Sequence, residues 1–153
     1  MSKYKYIIVE IENDIATITF NRPEKKNAMS PDLHAEMCVA LDEVAAAKVK
    51  VMVLTGSGNA FVGGMDLEKC FFDNWDDPEK FVEGIKPSFE WMKHLKTFPA
   101  VTVAKVNGWC FGGGMEVVGL CDIAIVAEES TWGLSEVNFG IFPGGGTTWT
   151  VVN

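Results

Sequence analysis

The sequence predicts an α/β fold built as a spiral of repeated ββα units. Three observations carry this. Two strand–glycine–helix junctions of the same kind occur, at residues 60–67 and 106–116, and a third glycine turn follows at 142–147. The strands are short, apolar and β-branched, and helical stretches alternate with them. No Rossmann-type fingerprint accompanies the alternation, which favours a coil of similar units over a doubly wound sheet.

The elements follow in order. Residues 6–12 and 15–20 alternate apolar and polar around Asn13-Asp14, a β-hairpin. After a polar loop at 21–27, Ser30-Pro31 supplies an N-cap and a first-turn proline. Leu33, Met37, Ala40, Leu41 and Val44 recur at helical spacing, so a helix runs to about Ala47. Residues 49–55 form an apolar strand, and 60–67 the first glycine junction. Residues 71–77, aromatic and acidic, read as a mobile loop. Residues 78–95 read as a helix interrupted or kinked at Gly84 and Pro87. Pro99 sets off a strand over 100–106, which enters the second junction. Residues 122–127 read as a buried strand, 131–134 as a short extended piece, and Ser135-Glu136-Val137 as the start of a helical turn. The last residues, up to Asn153, supply no cap and no closing element.

The 153 residues are expected to form one domain, residues 1–153, with a core large enough to fold. A net charge of -8 argues against a general nucleic-acid or anionic-membrane binder, because such surfaces need clustered Lys and Arg. The start, Met1-Ser2-Lys3-Tyr4-Lys5, has no signal-peptide character, and no apolar run approaches the ~18 residues of a membrane span. Cys38, Cys70, Cys110 and Cys121 form no CxxC pair and lack a histidine cluster, so no metal site is expected. They read as reduced, mostly buried thiols, and a cytoplasmic location is the expectation.

No P-loop and no G-x-S-x-G elbow exists, and His34 and His94 fall on helices remote from the glycine turns. What remains is two junctions, each able to present a backbone N–H, and two carboxylates. Glu116 opens the helix after the second junction, and Glu136 sits among apolar and aromatic residues. Two N–H groups aimed at one oxygen suit an enolate, and two glutamates can hold one water, one accepting its proton while the other gives a proton to carbon. On the residues alone, Glu116 reads equally well as a partner of the helix dipole and Glu136 as a capping residue.

The motifs resemble the enoyl-CoA hydratase/isomerase (crotonase) superfamily across the whole chain. The matching pieces are Asn21-Arg22-Pro23 with Asn27-Ala28, Gly64-Met65-Asp66-Leu67, Asn107-Gly108 with Gly112-Gly113-Gly114-Met115-Glu116, Cys121-Asp122, and Ser135-Glu136 with Pro143-Gly144. The resemblance implies a crotonase-like spiral of ββα units. It further implies a chain that matches only the N-terminal part of a typical member, a fragment or truncated form without the C-terminal helices. It implies an acyl-CoA substrate, with coenzyme A entering as part of the thioester and no prosthetic group. A homotrimer or hexamer is implied for a full-length form. By resemblance, the N–H groups of Met65 and Gly113 polarise the thioester carbonyl, and Glu116 and Glu136 activate water for addition across the α,β double bond. Lys25 would face the nucleotide phosphates, and Gly63, Met65, Leu67 and Gly113 would line the coenzyme path. Lys25 and Lys26 read equally as a solvated loop pair.

Within the superfamily the chain is most similar to the hydroxycinnamoyl-CoA (feruloyl-CoA) hydratase-lyases, through Asn107-Gly108-Trp109-Cys110-Phe111 and Gly133-Leu134-Ser135-Glu136-Val137-Asn138. It departs from them at Glu116, where they typically hold serine, and at Cys70, where a tyrosine handles the phenol. The expected activity is therefore simple hydration of an enoyl-CoA, with an aryl-substituted acyl group among the candidates. The alternatives are the hydratase-lyase reaction, which releases an aromatic aldehyde and acetyl-CoA, and an inactive, truncated protein that only binds.

Overall fold

The computed structural model describes residues 3–150. Expectations that fell on Met1, Ser2 and residues 151–153 lie outside the described residues.

Strands β1 (Ile7–Glu12) and β2 (Ile15–Phe20) form the expected antiparallel hairpin. Asn13 and Asp14 have φ of 50° and 65°, the left-handed pair that a two-residue turn needs to follow the strand twist. Helix α1 (Pro31–Ala46) starts where the cap predicted, with the Leu33 N–H donating to Ser30 Oγ at 3.4 Å. It buries Leu33, Met37, Ala40, Leu41 and Val44.

The chain then passes through β3 (Val51–Gly56), β4 (Ala60–Val62), α2 (Leu67–Cys70), α3 (Pro78–Lys96), β5 (Val101–Val106), β6 (Trp109–Phe111), α4 (Gly113–Leu120), β7 (Ile123–Val126), β8 (Trp132–Gly133) and α5 (Thr147–Thr150). Two sheets result, one in the order β1-β2-β3-β5-β7 and one in the order β4-β6-β8. After the hairpin, each successive strand pair puts its first strand in the large sheet and its second in the small one. All pairings beyond the hairpin are parallel. That is the expected spiral. Its corners are tied by Asn107, whose Nδ2 donates to Gly56 O at 2.9 Å while its Oδ1 accepts from the Gly56 N–H at 3.1 Å. Between the sheets, Phe20 and Phe61 meet edge to face at 5.7 Å.

Three expectations need correction. Helix α3 is continuous through Gly84 and Pro87. Its buried stripe, Ser88, Trp91, Met92 and Leu95, packs the helix inward, and Trp91 Nε1 donates to His34 Nδ1 on α1 at 2.8 Å. Tertiary packing outweighs the local cost of the proline. Residues 71–77, expected as a loop, contain a helical turn. A 3-10 turn spans Phe72–Asn74, Phe71 packs on Phe81 at 5.7 Å, and Asp77 caps α3 through Lys80 N at 3.1 Å. The apolar run of β7 suggested a strand covered on both faces. It is instead the outermost strand of the large sheet, and Ile123 and Ile125 stay 49% and 60% exposed among the described residues.

Candidate active site

The two glycine junctions lie against each other. In the first, β4 leads through Gly63 and Gly64 to Met65 and then to Asp66, whose carboxylate caps α2 by accepting from Lys69 N at 3.3 Å. In the second, β6 leads through Gly112 into α4. A Cβ on Gly113 would stand 3.7 Å from Met65 Cγ, so the two junctions lie side by side. Gly113 is the first residue of its helix, and no intrahelical acceptor exists for its N–H. Among the described residues, neither the Gly113 nor the Met65 N–H donates to a backbone carbonyl. Two unengaged N–H groups in neighbouring junctions can serve a single oxygen anion.

Gly112 makes the second junction possible. Its φ of 50° with ψ of -118° is a conformation that side chains disfavour, and a Cβ would sit 3.0 Å from Glu136 Oε1. Glu136 reaches this place through strand pairing. Phe111 of β6 pairs with Gly133 of β8, and the Gly112 N–H donates to Gly133 O at 3.0 Å. A 3-10 turn, Glu136–Phe139, follows directly. Glu136 Oε2 is buried and has no hydrogen-bond partner among the described residues. A buried carboxylate oxygen of this kind calls for a donor from water or ligand.

Glu116 lies in the first turn of α4 and is 7% exposed. Burial, reinforced by the charge of Glu136, pushes its carboxyl up from 4.5 to about 7. The third glycine turn closes over it. Gly145 has φ of 64°, and a Cβ there would fall 2.6 Å from Glu116 Oε1 and nearer still to Oε2. The sequence shows the turn but not this partner, which lies about thirty residues away (145 − 116 = 29).

These groups border one cavity of about 680 Å³. Gly63, Met65, Leu67, Gly113, Glu116 and Glu136 all line it, so the structure gathers six of the seven expected site residues. Lys25 is the exception. It is exposed in a 3-10 turn, Pro23–Lys25, outside the lining. Its neighbour Lys26 is engaged elsewhere, donating to Asn59 Oδ1 at 2.8 Å with its ammonium 5.5 Å from the Trp109 ring centre. The remaining wall is largely apolar. Phe71, Ile85, Phe89 and Met92 come from one side, and Phe139, Ile141 and Phe142 from the other. Cys70 does not line it; its thiol donates to Met29 O at 3.3 Å.

Other chemistries find little support. Burial holds the thiols of Cys70, Cys110 and Cys121 up at about 12, so they are not ready nucleophiles. The imidazole of His34 is fully buried on α1, where burial lowers it to about 4. Among the described residues no cluster of three or more His, Cys, Asp or Glu could hold a metal ion. No helix there is long and apolar enough to cross a membrane.

Comparison with known proteins identifies the family. The enoyl-CoA hydratase/isomerase family model matches residues 10–153. A hydroxycinnamoyl-CoA hydratase-lyase of Pseudomonas fluorescens is 46% identical over 146 residues, which cover 93% of this chain and 52% of that protein. A short-chain-enoyl-CoA hydratase of Clostridium acetobutylicum is 35% identical over 145 residues, 93% of this chain and 54% of that one. The crystal structure of an enoyl-CoA hydratase subunit from Geobacillus kaustophilus superposes with a TM-score of 0.85 at 32% identity, covering 99% of this chain and 57% of that one. An enoyl-CoA hydratase from Bacillus anthracis gives 0.85 at 29% identity, with 96% and 57% covered. The chain thus spans about half the length of the relatives it matches. Its fold, its paired glycine junctions and its match along 10–153 agree: the chain belongs to the enoyl-CoA hydratase/isomerase family.

Proposed function

We propose that the chain carries the reacting groups of an enoyl-CoA hydratase. The observation that carries the reading is the placement of Glu116 and Glu136 on the same cavity as the unengaged N–H groups of Met65 and Gly113. The thioester oxygen accepts from these two N–H groups. Water held between the carboxyls attacks Cβ, and one carboxylate takes its proton. The electron pair of the double bond moves onto the thioester oxygen as an enolate, which the two N–H groups stabilise. The enolate then collapses, taking a proton at Cα from the other carboxyl. One water is added and the pair ends with the single proton it began with. A carboxyl held near 7 beside a second carboxylate suits that exchange at neutral pH.

The aromatic wall of Phe71, Phe89, Phe139 and Phe142 supports a bulky or aryl-substituted acyl group. Gly63, Met65, Leu67 and Gly113 would receive the pantetheine end. Lys25, on the exposed side of the adjoining loop, would meet the nucleotide phosphates. Assembly as a trimer or a dimer of trimers and residence in the cytoplasm belong to the same reading.

The test is to mix the protein with crotonyl-CoA and with a hydroxycinnamoyl-CoA and follow loss of the absorbance of the conjugated thioester. Loss without aldehyde supports hydration. Release of an aromatic aldehyde would assign the hydratase-lyase reaction, which the 46% identity to such an enzyme favours and Glu116 opposes. Tight binding with no turnover would leave a binding protein.

A further inference from the structure

The two N–H groups proposed to hold the enolate oxygen sit on different elements. Something must fix the gap between them, because a site of this kind tolerates only about 0.5 Å of error. Strand pairing does not do it. The β4–β6 ladder is irregular and ends at Val62 and Cys110, three residues short of either donor (65 − 62 = 3; 113 − 110 = 3).

Met29 spans that distance. Its N–H donates to Gly64 O at 2.8 Å and its carbonyl accepts from Asp66 N at 2.9 Å, so its backbone brackets Met65 on both sides. Its side chain crosses to the other junction, where Met29 Cε lies 2.7 Å from the place a Cβ on Gly113 would take. Met29 is fully buried and does not border the cavity. The loop that bears it is braced from behind. Arg22 is 9% exposed and bonds Asp66 Oδ2 through Nη2 at 2.9 Å and Ala28 O through Nη1 at 2.5 Å. Asn27 Oδ1 accepts from the Arg22 N–H at 2.9 Å, and Asn27 Nδ2 donates to Ala60 O at 2.8 Å.

We propose that Met29 is a positioning residue that sets the spacing of the Met65 and Gly113 N–H groups, with the Arg22–Asp66 ion pair holding its loop in place. A packed methyl group cannot be compressed or removed without the two junctions shifting relative to each other. The inference rests on the proposed roles of Met65 and Gly113.

Two probes that differ only in the carbonyl separate the possibilities: butyryl-CoA, a saturated thioester, and S-butyl-CoA, its thioether. The parent protein is expected to prefer the thioester by about tenfold, the scale of two modest hydrogen bonds. Met29→Ala should erase that preference while leaving S-butyl-CoA affinity unchanged. Met29→Leu, of similar volume, should restore most of it. Met29→Ile keeps the volume but withdraws the tip from Gly113; it should lose the preference, and it carries the test where the alanine variant fails to fold. The carbonyl stretching frequency of bound butyryl-CoA should rise toward its free value in the same variants.

A parent that binds neither probe, or both equally, overturns the oxyanion reading and this inference with it. A parent that prefers the thioester, with Met29→Ala or Met29→Ile preferring it as strongly, overturns the positioning role alone. An equal loss for both probes would mean a general structural role and likewise overturn it.

Discussion

Replacing Glu116 by glutamine separates what the carboxyl does for catalysis from what it costs the fold. In the unfolded chain the group titrates near 4.5, and in the folded protein near 7, because the cavity and the charge of Glu136 disfavour its anion. Below pH 4.5 both states hold the proton and no penalty exists. Between pH 4.5 and 7 the unfolded chain releases the proton while the folded protein keeps it, so stability falls as pH rises. Above about 7 both are ionised and the loss is complete. At about 1.4 kcal/mol per pH unit the interval from 4.5 to about 7 amounts to about 3 kcal/mol. Glutamine has no proton to lose. Its variant should match the parent at pH 4.5 and exceed it by up to about 3 kcal/mol at pH 8 in urea denaturation. Hydration should fall by on the order of 10²-fold or more, because the shared proton is gone. A stability difference that is the same at pH 4.5 and pH 8 would refute the claim that the cavity holds Glu116 neutral.

Further outcomes follow from the same geometry. Glu136→Gln should lower kcat by on the order of 10²-fold or more, and an unchanged rate would remove Glu136 from the mechanism. The hydration rate should decline as pH rises through about 7, as Glu116 ionises; steady-state rates from pH 5 to 9 would show the limb. Gly145→Ala places a side chain at φ 64° against the Glu116 carboxylate. It should cost about 1–2 kcal/mol in thermal or urea unfolding and reduce hydration further than that loss explains. Trp91→Phe removes the donor to His34 Nδ1 in a site where His34 Nε2 already lacks a partner among the described residues. It should cost about 1–3 kcal/mol in denaturant titration.

Local chemistry made much of this molecule legible from sequence. The hairpin followed from two turn residues that accept left-handed φ, and α1 from a serine cap and a proline beside it. Both glycine junctions and both glutamates could be named because each is a contiguous motif. Non-local contacts decided the rest. Helix α3 crosses Gly84 and Pro87 because Trp91 and Leu95 are buried; the i+3/i+4 spacing of Ile85, Ser88, Met92 and Leu95 marks that face, but the residues it packs against lie elsewhere in the chain. The exposure of Ile123 and Ile125 depends on which strand ends the sheet, a property of topology rather than composition. Gly145 and Met29 matter through contacts with Glu116 and Gly113, residues far from them in the chain.

The groups placed to receive the anion are main-chain amides, and this has a consequence for how such a site is found by experiment. Replacing one side chain at a time leaves the Met65 and Gly113 N–H groups chemically intact, since every residue but proline supplies the same donor. A mutational scan of this protein would therefore score the buried Arg22, Asn27 and Met29, and the glycines for want of room for a side chain, without ever testing the two amides as donors. Swapping the amide for an ester at position 65 or 113 is the perturbation that addresses them directly.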